Sequence, residues 1–229
     1  MANEREQISF DVLFVGAGPA NLAGAIRLMQ AAKEKDLELE VALIEKGAEL
    51  GSHGISGAIL NPVALQELIP DYLEKGCPIE TTIQGDAFYY LTRRHAIPIP
   101  FVPRYLHNKG YHVVSLAKLN QWMGAIAEDM GVNIFPGFAG KKLILDDKNA
   151  RVLGVQTGEK GLDISGKPKS TFEPAMDLLA KVTVFGEGAR GSLVKELDSI
   201  MGISTNSMHQ ALSLIHISEH TRLNSTSRM

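Results

Sequence analysis

Apolar and polar positions in the amino-terminal part of the chain alternate as expected for a strand, a helix and a second strand. Residues 10–15 (FDVLFV) are mostly apolar and rich in β-forming types, which is typical of a parallel strand covered on both faces. Apolar residues then recur at helical spacing between Leu22 and Met29. A second apolar run, residues 40–44 (EVALI), ends on Glu45. Together these segments predict a βαβ unit.

The rest of the chain carries further helix and strand signals. Asn61 and Pro62 predict a helix start, with asparagine as the cap and proline at the first helical position. Ser115 predicts the cap of a second helix, which ends at Gly131. A third helix is predicted by the spacing of Leu193, Leu197, Ile200 and Met201. Strands are predicted at residues 88–91, 96–101, 132–135, 142–145, 152–157 and 180–185, and a loop rich in Gly, Lys, Pro and Ser at residues 158–170.

The composition fits a globular protein and gives no sign of nucleic-acid binding. Of the 229 residues, 45% are hydrophobic and 21% charged, and the formal net charge is −3, so no basic field attracts a polyanion. The lone Cys77 can neither close an internal disulfide nor supply a cysteine cluster. Residues 1–10 lack signal-peptide or transit-peptide character, and no run reaches the ~18 apolar residues of a membrane span. We therefore expect a protein of the cytoplasmic side, with attachment to a membrane surface left open.

The turn after the first strand, Gly16-Ala-Gly18-Pro19-Ala20-Asn21, has a dinucleotide-binding pattern. The first glycine allows the tight turn, and the second lets the backbone approach a pyrophosphate, which the helix amino terminus then attracts. Asn21 stands where a third glycine is usual, so close packing of helix on strand is the open point. Such a pattern is weak alone, and an ordinary glycine turn is the alternative. The strand before it and the helix after it favour a nucleotide site.

Glu45 indicates which dinucleotide the site would take. It follows Asn21 by 24 residues, close to the ~20 expected of an acidic residue that binds ribose hydroxyls. A carboxylate there repels a 2′-phosphate, so NADP is disfavoured, and NAD or FAD is favoured. Because the site begins in the first strand, we predict FAD. Lys46, next to Glu45, belongs to the predicted site.

A second glycine turn follows the last predicted strand, in the segment 182–192 (VTVFGEGARGS). Gly186, Gly188 and Gly191 would let the backbone pass close beneath an extended FAD. Glu187 could bind a ribityl or ribose hydroxyl, or it could be a solvated turn residue. We expect Arg190 to be exposed.

A third candidate segment is residues 49–61 (ELGSHGISGAILN), in which five of the nine residues from 51 to 59 are glycine or serine. Another surface could therefore approach its backbone, and we include Ser52, His53, Ser56 and Gly57 in the predicted cofactor site. A flexible loop with a solvated histidine is the alternative. No hydrolase triad or zinc spacing is present, and no catalytic side chain is predicted, because flavins carry hydride and single electrons themselves.

With these motifs in place, the chain resembles the electron transfer flavoprotein–ubiquinone oxidoreductase family over nearly all of residues 10–200. The most specific blocks are GSHGISGAILNP and FGEGARGSL, while the first glycine turn is common to many flavoproteins. The predicted fold is α/β, a Rossmann-like FAD-binding domain of the glutathione-reductase type with part of a β-rich substrate domain inserted. The predicted divisions are 1–70 and 176–211 for FAD binding, 71–175 for the insertion, and 212–229 for a tail.

The resemblance implies a peripheral enzyme on the cytoplasmic face of a bacterial inner membrane. It would pass electrons from reduced electron transfer flavoprotein through FAD to a quinone, and a [4Fe–4S] cluster would belong to the full-length enzyme. The resemblance also implies membrane contact near residues 51–71, through Ile55, Ile59, Leu60, Val63, Leu65 and Leu68, although burial in the core is equally compatible with these apolar side chains. A FixC-like dehydrogenase, a geranylgeranyl-type reductase and a non-catalytic nucleotide-binding fragment are the alternatives.

Residues 212–229 show no sustained hydrophobic period and no clear relation to the segments before them. The segment LSLIHISEHTR resembles, with one residue different, the translation of a transposase-type sequencing adapter, so we expect a non-native tail on a fragment. Cluster ligands and quinone contacts would then lie in sequence that is missing, and we expect this chain alone to be inactive.

Overall fold

A six-stranded sheet forms the centre of the molecule. The structure, a computed structural model, describes residues 5–55, 57–148, 151–162, 167–189 and 191–203. The strands of this sheet are β1 (Gln7–Val15), β2 (Val41–Glu45), β8 (Asn133–Pro136), β9 (Gly140–Leu145), β10 (Val152–Thr157) and β13 (Asp177–Phe185). Their order across the sheet is β8-β2-β1-β13-β10-β9.

The pairing directions divide the sheet into two halves. β8, β2, β1 and β13 run parallel, whereas β10 is antiparallel to both β13 and β9. In the parallel half, β1 lies between β2 and β13, so the carboxyl ends of these three strands meet at one edge. That edge is where ligands bind in open sheets of this kind.

Helices cover both faces of the sheet, which explains the nearly continuous apolar sequence of β1 and β2. On one face, α1 (Pro19–Glu34) packs beside α3 (Leu116–Asp129). On the other, α4 (Ser192–Met201) packs on β9. The sheet thus separates two hydrophobic clusters, one containing Leu22, Ile26, Leu119 and Met123, and the other containing Leu13, Val155, Leu178 and Leu193.

Smaller elements lie outside the central sheet. A three-stranded antiparallel sheet has the order β3 (Gly57–Leu60), β7 (His112–Ser115) and β4 (Ile79–Thr82), and α2 (Val63–Leu68) follows β3. A separate hairpin consists of β5 (Phe88–Leu91) and β6 (Ala96–Ile99), followed by a short 3-10 helix (Arg104–Leu106). Buried His112 ties the three-stranded sheet to the core, because its ring nitrogens contact Tyr72 Oη at 2.9 Å and Thr82 Oγ1 at 3.0 Å.

Of the two predicted helix caps, Ser115 is confirmed, whereas Asn61 is displaced by one residue from the cap position. Ser115 is the N-cap of α3, and its Oγ accepts from Lys118 N at 3.5 Å. Asn61 Oδ1 accepts from Val63 N at 3.2 Å, although the helix begins one residue later than predicted and Pro62 occupies the cap position.

The prediction of a loop over residues 158–170 is wrong. β11 (Lys160–Leu162) and β12 (Pro168–Glu173) form an antiparallel pair there. Gly, Lys, Pro and Ser have weak strand propensity, but pairing with a neighbouring strand outweighs propensity in a sheet.

The division into ranges 1–70, 71–175 and 176–211 stays a prediction. The sheet adds one fact to it: β8, β9 and β10, all from the middle range, complete the sheet that β1 and β2 begin. The predicted tail, residues 212–229, lies outside the described residues.

Candidate functional site

A cleft of about 430 Å³ opens at the carboxyl edge of the parallel strands. Its walls are the turn after β1, the end of β2, the loop between β2 and β3, the loop before β9 and the turn after β13. This volume lies within the ~300–1,000 Å³ typical of small-molecule sites. The fold therefore gathers three separate glycine-rich segments around one cavity.

The two glycines of the first turn have different surroundings. Gly16 has φ +97°, a conformation that favours glycine, and an added Cβ would lie 2.7 Å from Gly186 O. Gly18 is the N-cap of α1, and apart from its own chain neighbours no described atom lies within 4 Å of where its Cβ would be. No side chain caps α1, and Pro19 follows at its first position. Gly16 is thus required by the protein's own backbone, whereas the space beside Gly18 is free for a ligand.

Asn21 is buried behind this turn and does not line the cleft. Its Nδ2 donates to Val15 O at 2.9 Å and to Gly16 O at 2.8 Å. The amide therefore ties the first turn of α1 to the end of β1. This answers the point left open by the missing third glycine: the contact is made by hydrogen bonds instead of by close backbone packing.

Glu45 is held in place at the end of β2 by three contacts. Its Oε2 accepts from Ala17 N at 2.9 Å, and its Oε1 accepts from Gly47 N at 2.8 Å and lies 3.2 Å from His53 Nδ1. The carboxyl side chain is only 12% exposed. An ionised carboxylate has about four acceptor positions, so it can still accept from a ligand hydroxyl. The bonds fix its orientation toward the cleft.

The Gly/Ser-rich loop after β2 packs on the first turn of α3. Gly51, with φ +82°, leaves no space for a Cβ because Ala117 backbone lies against it, and a Cβ on Gly54 would be 3.0 Å from Ala117 N. The small residues therefore admit the protein's own helix. This contact places His53 beside Glu45 at the cleft wall.

Glu187 in the second glycine turn bonds to α4. Its carboxylate accepts from Val194 N at 2.9 Å, from Leu193 N at 3.3 Å and from Ser192 Oγ at 3.4 Å. Gly191 accommodates it, since a Cβ there would lie 2.7 Å from Glu187 Cβ. Glu187 thus satisfies amides at the start of a helix whose own N-cap has no side chain.

The structure brings most of the predicted site residues to one cavity. The cleft lining contains Gly16, Gly18, Pro19, Glu45, Lys46, His53, Gly186, Glu187, Gly188 and Gly191. Ala20, Asn21, Ser52 and Gly57 do not line it. Ser52 Oγ instead donates to Glu49 O at 2.7 Å within its own loop, and Gly57 begins β3. Ser56 and Arg190 lie outside the described residues.

Several cleft residues were missed at the sequence level, among them Leu116, Asn120, Phe138, Ala139, Gly140 and Ser192. Asn120 lies on the face of α3 whose sequence pattern predicts core positions. It is 5% exposed, and its Oδ1 has no hydrogen-bond partner among the described atoms. Phe138 follows β8, the fourth parallel strand, whose carboxyl end reaches the same edge as β2. Only the parallel register of β8 could have indicated it.

Groups with a shifted pKa lie away from the cleft. A hydrogen bond from Lys181 and one from Glu40 N lower the pKa of Asp11, and bonds from Asn108 lower the pKa of Asp86. Burial raises the pKa of the Cys77 thiol. None of these three lines the cavity.

Comparison with curated sequences identifies close relatives. The chain is 45% identical over 198 residues to an electron transfer flavoprotein–ubiquinone oxidoreductase of Pseudomonas aeruginosa, covering 85% of this chain and 36% of the relative. It is 44% identical over 193 residues to the mitochondrial protein of that name from Dictyostelium discoideum, covering 84% and 32%. The Arabidopsis thaliana mitochondrial protein is 41% identical over 214 residues, covering 92% and 33%. The chain thus spans about a third of the length of these relatives.

Solved structures support the fold. The flavin-dependent monooxygenase PieE, solved with FAD and substrate, superposes with a TM-score of 0.57 at 17% identity, covering 90% of this chain and 34% of that one. A geranylgeranyl bacteriochlorophyll reductase-like protein of Thermoplasma acidophilum gives 0.52 at 18% identity, covering 78% and 39%. No protein-family model matches. The mixed α/β fold with a parallel sheet is confirmed, and so is the resemblance: over most of its length this chain is similar in sequence to the electron transfer flavoprotein–ubiquinone oxidoreductases.

Proposed function

We propose that the cleft holds the ADP half of FAD and that the protein is an FAD-dependent oxidoreductase, passing electrons from reduced electron transfer flavoprotein to a membrane quinone. The observation that carries the proposal is Gly18, which stands at the uncapped start of α1 with no atom within 4 Å of its Cβ position. A pyrophosphate placed there would meet the positive end of the helix and its unpaired amides. The relatives' names supply the donor and the acceptor.

The residues present fit the two ends of such a ligand. The backbone at Gly16 and Gly18 would face the pyrophosphate, and Glu45 would accept from the ribose hydroxyls. Gly188, with φ +76° and open space at its Cβ position, would let the backbone of the second turn lie under the ligand. When bound, FAD supplies the hydride and single-electron chemistry. The protein's part is to orient the cofactor and to hold the Glu45 carboxylate in place.

Several finer features belong to the proposal alone. The FAD-binding fold is of the glutathione-reductase type, and the enzyme lies on the cytoplasmic face of a bacterial inner membrane. A [4Fe–4S] cluster belongs to the full-length enzyme; among the residues that the structure describes, no three His, Cys, Asp or Glu side chains form a group that could hold a metal ion. Nucleic acid is not a proposed partner, because the net charge is −3.

Titration with ADP tests the nucleotide site directly, because it requires only the half-site that this chain contributes. We expect the 229-residue chain to bind ADP and FAD, and Gly18→Val to lose at least about tenfold in affinity by placing a side chain where the pyrophosphate would lie. ADP carrying a 2′-phosphate should also bind at least about tenfold more weakly, through repulsion by Glu45.

Gly85→Val is the matched control for this titration. Gly85 also has open space at its Cβ position, but it does not line the cleft. Full ADP affinity in purified, folded Gly18→Val would contradict the proposed site.

Membrane attachment is proposed through exposed apolar side chains. In the segment predicted for this role, Leu65 is 6% exposed and therefore belongs to the core, whereas Ile55 and Ile59 are 87% and 54% exposed. The β5–β6 hairpin is a second candidate, because Leu91 and Ile97 are exposed beside the basic turn at residues 93–95. No helix in the described part of the chain is long and apolar enough to cross a bilayer.

Sedimentation with liposomes separates these candidates. We expect Leu91→Asp with Ile97→Asp, or Ile55→Asp with Ile59→Asp, to release the chain from vesicles without lowering its melting temperature. Leu73→Asp is the control, since Leu73 is 62% exposed elsewhere. Unchanged sedimentation of both double variants would contradict membrane contact at these sites.

A geranylgeranyl-type or FixC-like reductase is the second candidate function. The one observation behind it is the superposition on the Thermoplasma acidophilum reductase-like protein, whose 18% identity supports a shared fold. Quinone reduction by a full-length relative that carries this segment, driven by reduced electron transfer flavoprotein, would support the first function. Reduction of an isoprenoid double bond without quinone turnover would support the second.

A further inference from the structure

The two glycine turns of the cleft meet at the side chain of Asn21. Its Nδ2 donates to Val15 O at 2.9 Å and to Gly16 O at 2.8 Å, at the end of β1. On the other side, Gly186 N donates to Val15 O at 2.9 Å, so both turns use the same carbonyl group. Asn21 is 4% exposed, and water cannot replace these bonds.

Gly186 has no room for a side chain because of Asn21. The three atoms nearest to a Cβ built on Gly186 all belong to the Asn21 carboxamide, and such a Cβ would overlap them. The φ of Gly186 is not in the left-handed region, so its backbone alone does not demand glycine. The carboxamide at position 21 is therefore what restricts position 186.

We propose that Asn21 is a positioning residue that locks the turn after β1 to the turn after β13, and that the residue at 186 is limited by the residue at 21. The lock works through volume and hydrogen bonds together. The carboxamide fills the space between the turns, and its two donated bonds fix the carbonyl groups of Val15 and Gly16. The separation of the cleft's two glycine walls follows from this contact. The part concerning nucleotide affinity rests on the proposed function.

A double-mutant cycle tests the coupling on the full 229-residue chain. Its members are the natural chain, Asn21→Gly, Gly186→Ala and the combined variant. We expect Gly186→Ala alone to lower the melting temperature by about 5 °C or more, because the new methyl group meets the carboxamide. In the Asn21→Gly background the same change should cost less than about 2 °C, because the carboxamide that the methyl group would meet is gone. Additive shifts would overturn the lock.

Two further measurements separate positioning from packing. ADP affinity is measured by calorimetry at a temperature at which all four proteins are folded. We expect each single variant to bind ADP at least about fivefold more weakly than the unsubstituted chain. The combined variant should bind ADP no more than about twofold more weakly than Asn21→Gly. Asn21→Asp keeps the volume but replaces the donor with an acceptor facing two carbonyl groups. It should therefore weaken ADP binding more than Asn21→Gly.

The outcomes distinguish the lock from the proposed function. Coupled melting temperatures with equal ADP affinities in all folded variants would show a packing pair and overturn the positioning role. Coupled melting temperatures in a natural chain that binds no ADP would leave the lock in place and contradict the nucleotide site. An Asn21→Asp variant that binds ADP like the natural chain would show that the donated hydrogen bonds have no part in positioning.

Discussion

The cleft edge of the central sheet and the β5–β6 hairpin are built in opposite ways. At the cleft edge, some glycines are confined by other backbone: a Cβ on Gly16 would lie 2.7 Å from Gly186 O, and one on Gly54 would lie 3.0 Å from Ala117 N. Gly18 and Gly188, where the ligand is proposed to lie, are the exceptions. Around the hairpin the chain has few neighbours. Leu91 is 71% exposed, and no atom lies within 4 Å of the Cβ position of Gly85. The same residue type is a steric requirement in one region and a spacer in the other.

This difference shows where each region's conformation is determined. The cleft edge is determined internally, because strand pairing, Asn21 and Glu45 satisfy the backbone groups around it. The hairpin is stabilised mainly by its own four paired residues on each strand, and two-stranded hairpins are marginal by themselves in water. Substitutions that disturb these contacts at the cleft edge should therefore lower the free energy of unfolding strongly, whereas substitutions in the hairpin should change it little.

The largest expected effect contrasts two glycines. Gly16→Ala should lower the free energy of unfolding by about 3 kcal/mol or more, because φ +97° strains an L-residue and the methyl group meets the Gly186 carbonyl. Gly85→Ala should change it by less than about 0.5 kcal/mol. Denaturant unfolding of both variants measures the difference, and equal values would mean that the cleft edge is as adaptable as the hairpin.

Two leucines give the next largest contrast. Leu65→Ala should cost about 2–3 kcal/mol, since Leu65 packs in the cluster beneath α1 and α3. Leu91→Ala should stay within about 0.5 kcal/mol, because the side chain is already in water. A large loss for Leu91→Ala in the same unfolding assay would show that the hairpin packs against something in solution.

Turn-capping hydroxyls sharpen the comparison at a smaller scale. Ser115→Ala should cost about 0.5–1 kcal/mol by leaving an amide of α3 without its cap. Thr92 Oγ1 accepts from His95 N at 2.9 Å in the hairpin turn, but water replaces it readily there. Thr92→Ala should therefore cost less than Ser115→Ala, and a reversed order in thermal unfolding would contradict this ranking.

The smallest effect depends on pH and lies at Asp11, in the middle of β1. Lys181 and Glu40 N lower the pKa of Asp11 below its ordinary value of 3.8. A lowered pKa in the folded state stabilises the fold above the unfolded pKa, and the gain is lost as pH falls through the folded value. Asp11→Asn should thus be less stable than the natural chain at neutral pH. Melting curves should converge as pH falls below 3.8, and a pH-independent difference would contradict the assignment.

The strand–turn–helix–strand unit around the cleft was predictable because each of its signals is local. The apolar runs of β1 and β2, the glycine turn and terminal Glu45 lie within one stretch of sequence, and each needs no distant partner to be recognised. The second glycine turn was found for the same reason. What its glutamate contacts was not, since the glycine spacing does not indicate that the carboxylate accepts from the amides of Leu193 and Val194 at the start of α4.

The missed features depend on contacts between distant segments. β11 and β12 are stabilised by each other, and the composition of residues 158–170 conceals this. The small residues of the loop containing Gly51 and Gly54 predict that another surface packs closely on its backbone. The sequence does not indicate that this surface is the first turn of α3. Leu65 illustrates the same limit of sequence-based prediction. An apolar residue in a short helix gives the same pattern whether its side chain faces a membrane or the protein core.

The contact between Glu187 and α4 gives the molecule an internal reporter. Its carboxylate accepts from Leu193 N and Val194 N, and it also lines the cleft. A ligand hydroxyl that draws this carboxylate away leaves both amides open to water, so hydrogen exchange at these two positions would register occupancy without any label. By thermodynamic linkage the reverse also holds, and substitutions that loosen the first turn of α4 would alter how firmly the cleft retains its ligand.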